Sequence, residues 1–298
     1  MNERWGVDPA AGQDERDWRF LLDKFGPYTG RYILRYPNSW LDILRAKAES
    51  LPDPRSSAMK RLIVRAEQDK KVLRVKGPMP YDESRPWLTN FEAWNGSRGG
   101  LQGVIVKQGC APPHLDLDSF SPPPSVSASS VPGKDPLAFA RAAEALLLMS
   151  PSLYFVDPLF NPMKKDHRDV VTALLRVAIS SRCESVDIWV QESNLSRASA
   201  SDEDLIDKLA VIEKDSKSGR GWIRLHLVDD HLQWDEEFHD RYVFNEYGGI
   251  QFSRGFQTQR KMGIQVMPEA IHLGHIDAFP RGGMKRNTVR VLMTGGQV

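Results

Sequence analysis

The sequence predicts an α/β protein, with a mixed sheet flanked by helices and preceded by a smaller, mainly helical α+β region. Three observations carry that expectation. Apolar runs of strand length alternate with helical periodicity from Pro136 to Val228. Past Tyr242 the pattern changes to short strands joined by tight turns such as Gly248-Gly249. Between the two regions lies a stretch dense in proline and serine, Ser121-Pro122-Pro123-Pro124-Ser125 among it, which holds neither helix nor central strand. The expected organisation is a domain over 1–110, a linker or long surface loop over 111–135, and a second domain over 136–298.

In the first region, Trp18, Phe20, Leu21, Leu22 and Phe25 recur at helical spacing until Gly26-Pro27 breaks the run. Ser39 is placed to cap a helix through Trp40, Leu41, Ile43 and Leu44. Ser56-Ser57 suits a second, with Met59, Leu62, Ile63 and Ala66 on one face. Short strands are expected at Val72–Val75 and Val104–Val106. Tyr28, Tyr32, Tyr36, Trp40, Trp87 and Trp94 make the region aromatic, which suits a core or an interface. It contains no catalytic motif, so its expected role is contact with a protein partner.

In the second region, Pro136 to Met149 reads as a helix with proline in its first turn. Leu153-Tyr154-Phe155-Val156 reads as a strand ending at Asp157-Pro158. Asp166 opens a helix that buries Val170, Val171, Leu174, Leu175 and Ala178. Val186–Val190 and Trp222–Val228 are further strands. Between them Ser201-Asp202-Glu203-Asp204 forms a capping box ahead of Leu205, Ile206, Leu209 and Ile212. Strands alternating with helices imply parallel pairing. Tyr242–Phe244, Ile250–Phe252 and Val289–Leu292 complete the strands.

Composition narrows the function classes. The 298 residues are 41% hydrophobic and 27% charged with a net charge of +1, ordinary for a globular protein and not a strong magnet for polyanions. No apolar run is long enough for a spanning helix, and Met1 to Trp5 lacks the apolar core of a signal peptide. Cys110 and Cys183 form neither a disulfide framework nor a metal-ligand spacing, which suits a reducing cytoplasm. No metal or other cofactor is expected. Basic residues concentrate late in the chain at Arg254, Arg260, Lys261, Arg281, Lys285, Arg286 and Arg290, opposed by Glu269 and Asp277. That region suits either phosphate or a solvated face.

The chemistry-bearing segment is Phe238-His239-Asp240-Arg241-Tyr242-Val243-Phe244-Asn245-Glu246. Phospholipase D-type phosphodiesterases place His-x-Lys, four residues and then Asp in such a segment. On a strand, residues two apart face the same side, so His239 as nucleophile and Arg241 as phosphate clamp project together. Glu246 falls where that motif has Asp. Ser253 falls where a small hydroxyl completes a phosphate pocket. Arg for Lys keeps phosphate binding within reach, whereas Glu for Asp lengthens the third group. Such chemistry needs two histidines, so one copy per chain implies a homodimer. A hydrogen-bonded strand histidine and a structural ion pair at Asp240–Arg241 remain the alternatives. The neighbouring Asp235, Glu236, Glu237 and Asp240 count against a simple nucleic-acid groove.

Other constellations are weaker. Asp229-Asp230-His231 reads as a strand-end turn, His114-Leu115-Asp116-Leu117-Asp118 as a solvated loop, and the pair His272 and His275 as structural. Arg98-Gly99-Gly100 lacks the Gly-Lys-Ser/Thr of a phosphate-cradling loop. Asp157 ends a strand at the edge where open sheets bind ligands, and equally suits a turn cap before proline.

Four blocks resemble the phospholipase D-like domain at the C-terminus of MIT-domain proteins. They are Tyr154–Phe160, His239-Asp240-Arg241, Gly249–Phe256, and Leu273–Asp277 followed by Thr288–Val291. The likeness extends over about 150 residues, in the same order and similar spacing. It implies a phospholipase D-like fold that dimerises and binds acidic phosphoinositide surfaces without catalysis. The implied phosphate-binding positions are His239, Arg241, Ser253 and Arg254, to which the strand-edge reading adds Asp157. MIT helices are not recognisable, so the family's ESCRT partners are not carried over. The chain resembles bacterial two-domain relatives, some of which accompany anti-phage or ATPase-linked genes, and this implies a part in a multi-component system. The resulting expectation is a dimeric, non-catalytic module recognising phosphate on a lipid headgroup or nucleic acid. Its alternatives are a phosphodiesterase or nuclease using His239, Arg241 and Glu246, and an interaction scaffold with a vestigial pocket.

Overall fold

The computed structural model describes residues 3–74, 77–96, 101–107, 114–122, 129–131, 135–180, 183–196, 200–219, 222–229, 241–253, 262–280 and 288–294. The chain is mixed α/β and divides into two compact units, residues 2–126 and 127–298.

The first unit runs β1 (Glu3–Val7), α1 (Glu15–Leu22), β2 (Arg31–Leu34), α2 (Trp40–Glu49), α3 (Arg55–Gln68), β3 (Val72–Leu73), α4 (Trp87–Asn95) and β4 (Gly103–Ile105). Its four strands lie in the order β3-β2-β1-β4, and every pairing is parallel. The unit is mainly helical as expected, and its small sheet is parallel with helices on both faces, which corrects the α+β expectation to α/β. Strands β1 and β2 escape the alternation test because both of their faces are covered. Trp18, Leu21, Leu22, Trp40, Leu44, Met59 and Ile63 from α1, α2 and α3 pack on one face with Val7, Ile33 and Ile105. Trp87, Phe91 and Trp94 from α4 pack on the other with Leu34, Tyr36 and Val106. That second layer sits tight on β1, since a Cβ at Gly6 would come within 2.4 Å of the Phe91 ring.

Helix starts differ in detail from the expectation. Asp14, not singled out in the sequence, caps α1 by accepting from the backbone of Arg16 and Asp17. Ser39 precedes α2 without a side-chain cap bond. Helix α3 begins at Arg55 behind Pro54, so Ser56 and Ser57 lie inside its first turn rather than before it.

The second unit runs β5 (Ser129–Val131), α5 (Pro136–Leu147), β6 (Ser152–Val156), α6 (Lys165–Ile179), β7 (Ser185–Gln191), α7 (Glu192–Ser196), α8 (Asp202–Ser216), β8 (Ile223–Val228), β9 (Arg241–Phe244), β10 (Gly249–Phe252), β11 (Met262–Val266), α9 (Glu269–Ala278) and β12 (Thr288–Met293). The sheet order is β12-β8-β7-β6-β9-β10-β11-β5. Strands β6, β7 and β8 are parallel, and every other pairing is antiparallel. Ser201 caps α8 in the expected box with Asp204. Helices α5, α6 and α8 pack on Leu153, Phe155, Ile188, Leu225, Val243 and Phe252. Helix α9 brings Ile276, followed by Phe279, to the opposite face with Val156, Trp189, Tyr242 and Phe244.

The 111–135 stretch is not simply a spacer. Leu115 bridges Ile105 beside β4, and Phe120 stacks on Phe25 in the first core. Ser129–Val131 forms the edge strand of the second sheet against β11. Attachment of Leu115, Phe120 and Ser129–Val131 depends on partners distant in sequence.

Candidate functional site

Strand β6 ends at Val156, and Asp157 follows at the carboxyl edge of the parallel strands, fully buried. Its Oδ1 accepts from the Leu159 backbone at 3.0 Å, a turn bond that holds the carboxylate at the edge. Antiparallel pairing of Tyr154 with Phe244 and Val156 with Tyr242 brings Arg241 to the same edge. Arg241 Nε stands 3.7 Å from Asp157 Oδ1 and makes no hydrogen bond to the described residues. The Arg241 side chain is about one-fifth exposed (19%), while its Nε is buried. The edge therefore presents a fixed carboxylate and, beside it, a cation whose Nε has no acceptor among the described residues. Such a pair holds an anion only where the guanidinium turns its outer N–H groups toward it.

The remaining candidates separate. Glu246 lies past the far end of β9, where Ser150 Oγ donates to its carboxylate at the amino side of β6. The full length of β9, on the order of 10 Å at about 3.3 Å per residue, divides it from Arg241. Glu246 is thus not brought to the Arg241 edge, and His239, which it was expected to serve in a phosphodiesterase, lies outside the described residues. An extended strand carries a residue five positions onward to the opposite rim. Ser253 Oγ accepts from the Gly263 backbone at 2.9 Å. Since Phe252 pairs with Arg241 and both belong to the α5/α6/α8 side, alternation sends Ser253 to the α9 face. Ser253 and Arg241 thus do not share a pocket wall. His239 and Arg254 lie outside the described residues. So do Asp230, His231, Arg260, Lys261, Arg281, Lys285 and Arg286. Arg290 is engaged by Asp202 and Glu192, each at 2.7 Å, and is not poised for phosphate.

Behind Asp157, the loop to α6 is held by His167. Its Nδ1 accepts from the Asn161 backbone at 3.1 Å. Burial drives its pKa down to about 4, with Asp166 opposing and Lys164 assisting. The folded value lies below the unfolded one near 6.5, so protonation favours unfolding. Stability should be complete above about pH 6.5 and fall as pH drops toward about 4. Denaturant titrations at several pH values should show a shallower slope for His167→Leu than for the wild type. Identical slopes would remove His167 from that dependence. His272 contributes in the same direction, since burial lowers its pKa while its Nε2 bonds the Asn245 carbonyl at 2.7 Å.

One charged cluster escaped the sequence reading. Asp187, in the middle of β7, takes two bonds from Arg224 at 2.7 and 2.6 Å and contacts His226 Nε2 at 2.6 Å. The His226 ring stacks on Trp189, 4.6 Å between centroids. Its Nδ1 is buried without a hydrogen bond among the described residues. A carboxylate inside the apolar run Val186–Val190, and the period-two pair Arg224-x-His226, were the available signals. Burial pushes the Asp187 carboxyl up, but the bonds and charges of His226 and Arg224 outweigh it and hold it below the usual range. The cluster braces adjacent strands and carries no open donor toward the Arg241 edge.

In the first unit, a groove of about 640 Å³ between α1 and α3 is lined by Arg19, Lys60, Arg61, Arg65 and Lys71 over Leu22 and Leu62. His114 Nε2 contacts Glu92 at 3.0 Å, and Asp116 is occupied by Ser119, which places this stretch on the surface as a bonded loop. Among the described residues no cluster of His, Cys, Asp and Glu is arranged to hold a metal ion, and no helix is long and apolar enough to cross a membrane. Set against known proteins, the chain matches no family model and no curated protein.

Proposed function

We propose that the second unit is a phospholipase D-like module that recognises phosphate, acts as a homodimer and belongs to a multi-component assembly. The observation that carries the reading is Arg241, half-sunk at the carboxyl edge of β6 with an Nε that has no hydrogen-bond acceptor among the described residues. Ligand sites in open sheets favour that edge. Asp157 stands 3.7 Å from the Arg241 Nε, close enough to pair with its charge but beyond hydrogen-bond length. His239 and Arg254 are the further groups expected to meet the phosphate. Glu246 and Ser253 have no part in it.

The test uses the full chain with inorganic phosphate and bis(p-nitrophenyl) phosphate as probes. Binding should be saturable, and Arg241→Ala should weaken it by about tenfold or more, the loss of one charge-assisted bond. Sedimentation should report a dimer. Hydrolysis of the diester that vanishes in His239→Ala would move the reading to a phosphodiesterase. The non-catalytic reading expects none.

A second reading, an interaction scaffold with a vestigial pocket, draws on the ion pair itself, since Asp157 already offsets much of the Arg241 charge. The basic α1/α3 groove with its apolar floor suits a protein segment of opposite charge. Phosphate binding indifferent to Arg241→Ala, or absent, favours the scaffold.

A further inference from the structure

The first unit has a feature that the phosphate reading leaves unused. Helices α1, α2 and α3 cover one face of its sheet and α4 the other, while β1 and β4 are neighbours. The winding therefore reverses between β1 and β4. β2 and β3 follow β1 on one side while β4 returns to its other side, and ligands of open α/β sheets occupy the crevice beyond the carboxyl ends at such a reversal of strand order.

Several groups converge on that crevice. Asp8 is the first residue past β1 and Lys107 the second past β4. Asp8 is half-buried, and its Oδ1 accepts from the Ala10 backbone at 2.8 Å. Burial raises its pKa, and the nearby charges of Lys47 and Lys107 draw it back. Lys47, from α2, donates to the Gly12 carbonyl and so holds the β1–α1 loop. Tyr81, from the β3–α4 connection, feels the Asp8 charge as well. Its ring meets Tyr36 edge-on at 5.9 Å, and Tyr36 stacks on Trp94 at 4.7 Å. One carboxylate, two ammonium groups and the partly buried Tyr81, backed by the buried Tyr36 and Trp94, thus lie near the point of reversal.

That combination selects a ligand class. Ammonium groups suit phosphate, a carboxylate suits vicinal hydroxyls, and the partly exposed ring of Tyr81 suits a planar base. The β1–α1 loop, Asp8-Pro9-Ala10-Ala11-Gly12-Gln13-Asp14, has no glycine fingerprint, and α1 opens with Asp14, Glu15 and Asp17, which repel an anion from the helix start. Phosphate is thereby directed to the lysines. We infer that the crevice beyond β1 and β4 binds a nucleoside phosphate, with Lys107 and Lys47 on the phosphate, Asp8 accepting from the ribose hydroxyls and Tyr81 beside the base.

The experiment titrates the full chain by calorimetry with ATP, GTP, AMP and, separately, inorganic phosphate. At least one nucleotide should bind saturably, about tenfold or more tighter than inorganic phosphate. Lys107 is exposed, so Lys107→Glu leaves folding intact, as circular dichroism would verify, and should weaken nucleotide binding by about tenfold or more. Asp8→Asn should weaken it in parallel, whereas Arg241→Ala should leave it unchanged, which separates this site from the one in the second unit. Nucleotide binding that is absent, no tighter than that of phosphate, indifferent to both Lys107→Glu and Asp8→Asn, or lost in Arg241→Ala overturns the inference.

Discussion

Asp187→Ala should destabilise the second unit by about 3 kcal/mol, within the range for breaking a buried ion pair on one side. The carboxylate is nearly buried, with 8% of its side chain exposed, and it satisfies Arg224 and His226 together. Its removal leaves an imidazole on Trp189 with neither ring nitrogen bonded and a guanidinium tied to nothing on β7. Arg224 is partly exposed and recovers some hydration, which keeps the loss from the top of that range. Asp187→Asn should cost less, because an amide still accepts one bond. The pH dependence has a definite sign. The folded pKa lies below the unfolded one, so the contribution is complete above about pH 4 and disappears as pH falls through the lower folded value. Urea unfolding followed by circular dichroism at pH 7 and in acid reads both effects. A loss under about 1 kcal/mol at pH 7 would show that the cluster is already hydrated rather than buried.

Trp40→Ala should cost the first unit about 3–5 kcal/mol, the usual range for emptying a large aromatic site. Trp40 opens α2, is completely buried, and meets Trp18 edge-on at 5.7 Å. Its Nε1 donates to the Val7 carbonyl at 2.6 Å, which ties the helix to the last residue of β1. Truncation creates a cavity between α1 and α2 and strands that carbonyl at once. Trp40→Phe keeps most of the packing and loses the bond, so about 1–2 kcal/mol is expected from it. Hydrogen exchange resolved by peptide should confine the loss of protection to residues 2–126, because the two units have separate cores. Equal loss across both units would mean that they unfold as one cooperative body. Since Val7 adjoins Asp8, this variant also disturbs the crevice, and it is no substitute for Lys107→Glu in testing nucleotide binding.

The helices and strands from Pro136 to Val228 were legible because each repeats over many residues. Val170, Val171, Leu174 and Leu175 mark a helical face, and Ser201 with Asp204 marks its successor's start. Strand β11 and helix α9 were not assigned. Glycine at Gly274 weakens the helical signal of Glu269–Ala278. Of the site residues, Arg241 and Asp157 were each singled out separately in the sequence. Their meeting at 3.7 Å depends on β9 pairing antiparallel with β6 across 84 residues of chain. Glu246 failed for the converse reason: motif spacing counts residues, whereas an extended strand converts that count into distance along one direction.

By itself the sequence determined the α/β class and most element positions in the second unit, both of which follow from periodicity and capping within a few residues. Tertiary structure alone decided that β1 and β2 form a parallel sheet, that Ser129–Val131 joins the second sheet, and that Asp187 gathers Arg224 and His226. Those outcomes depend on which distant surfaces exclude water together and which buried charges find one another, and neither is encoded in any short window of residues.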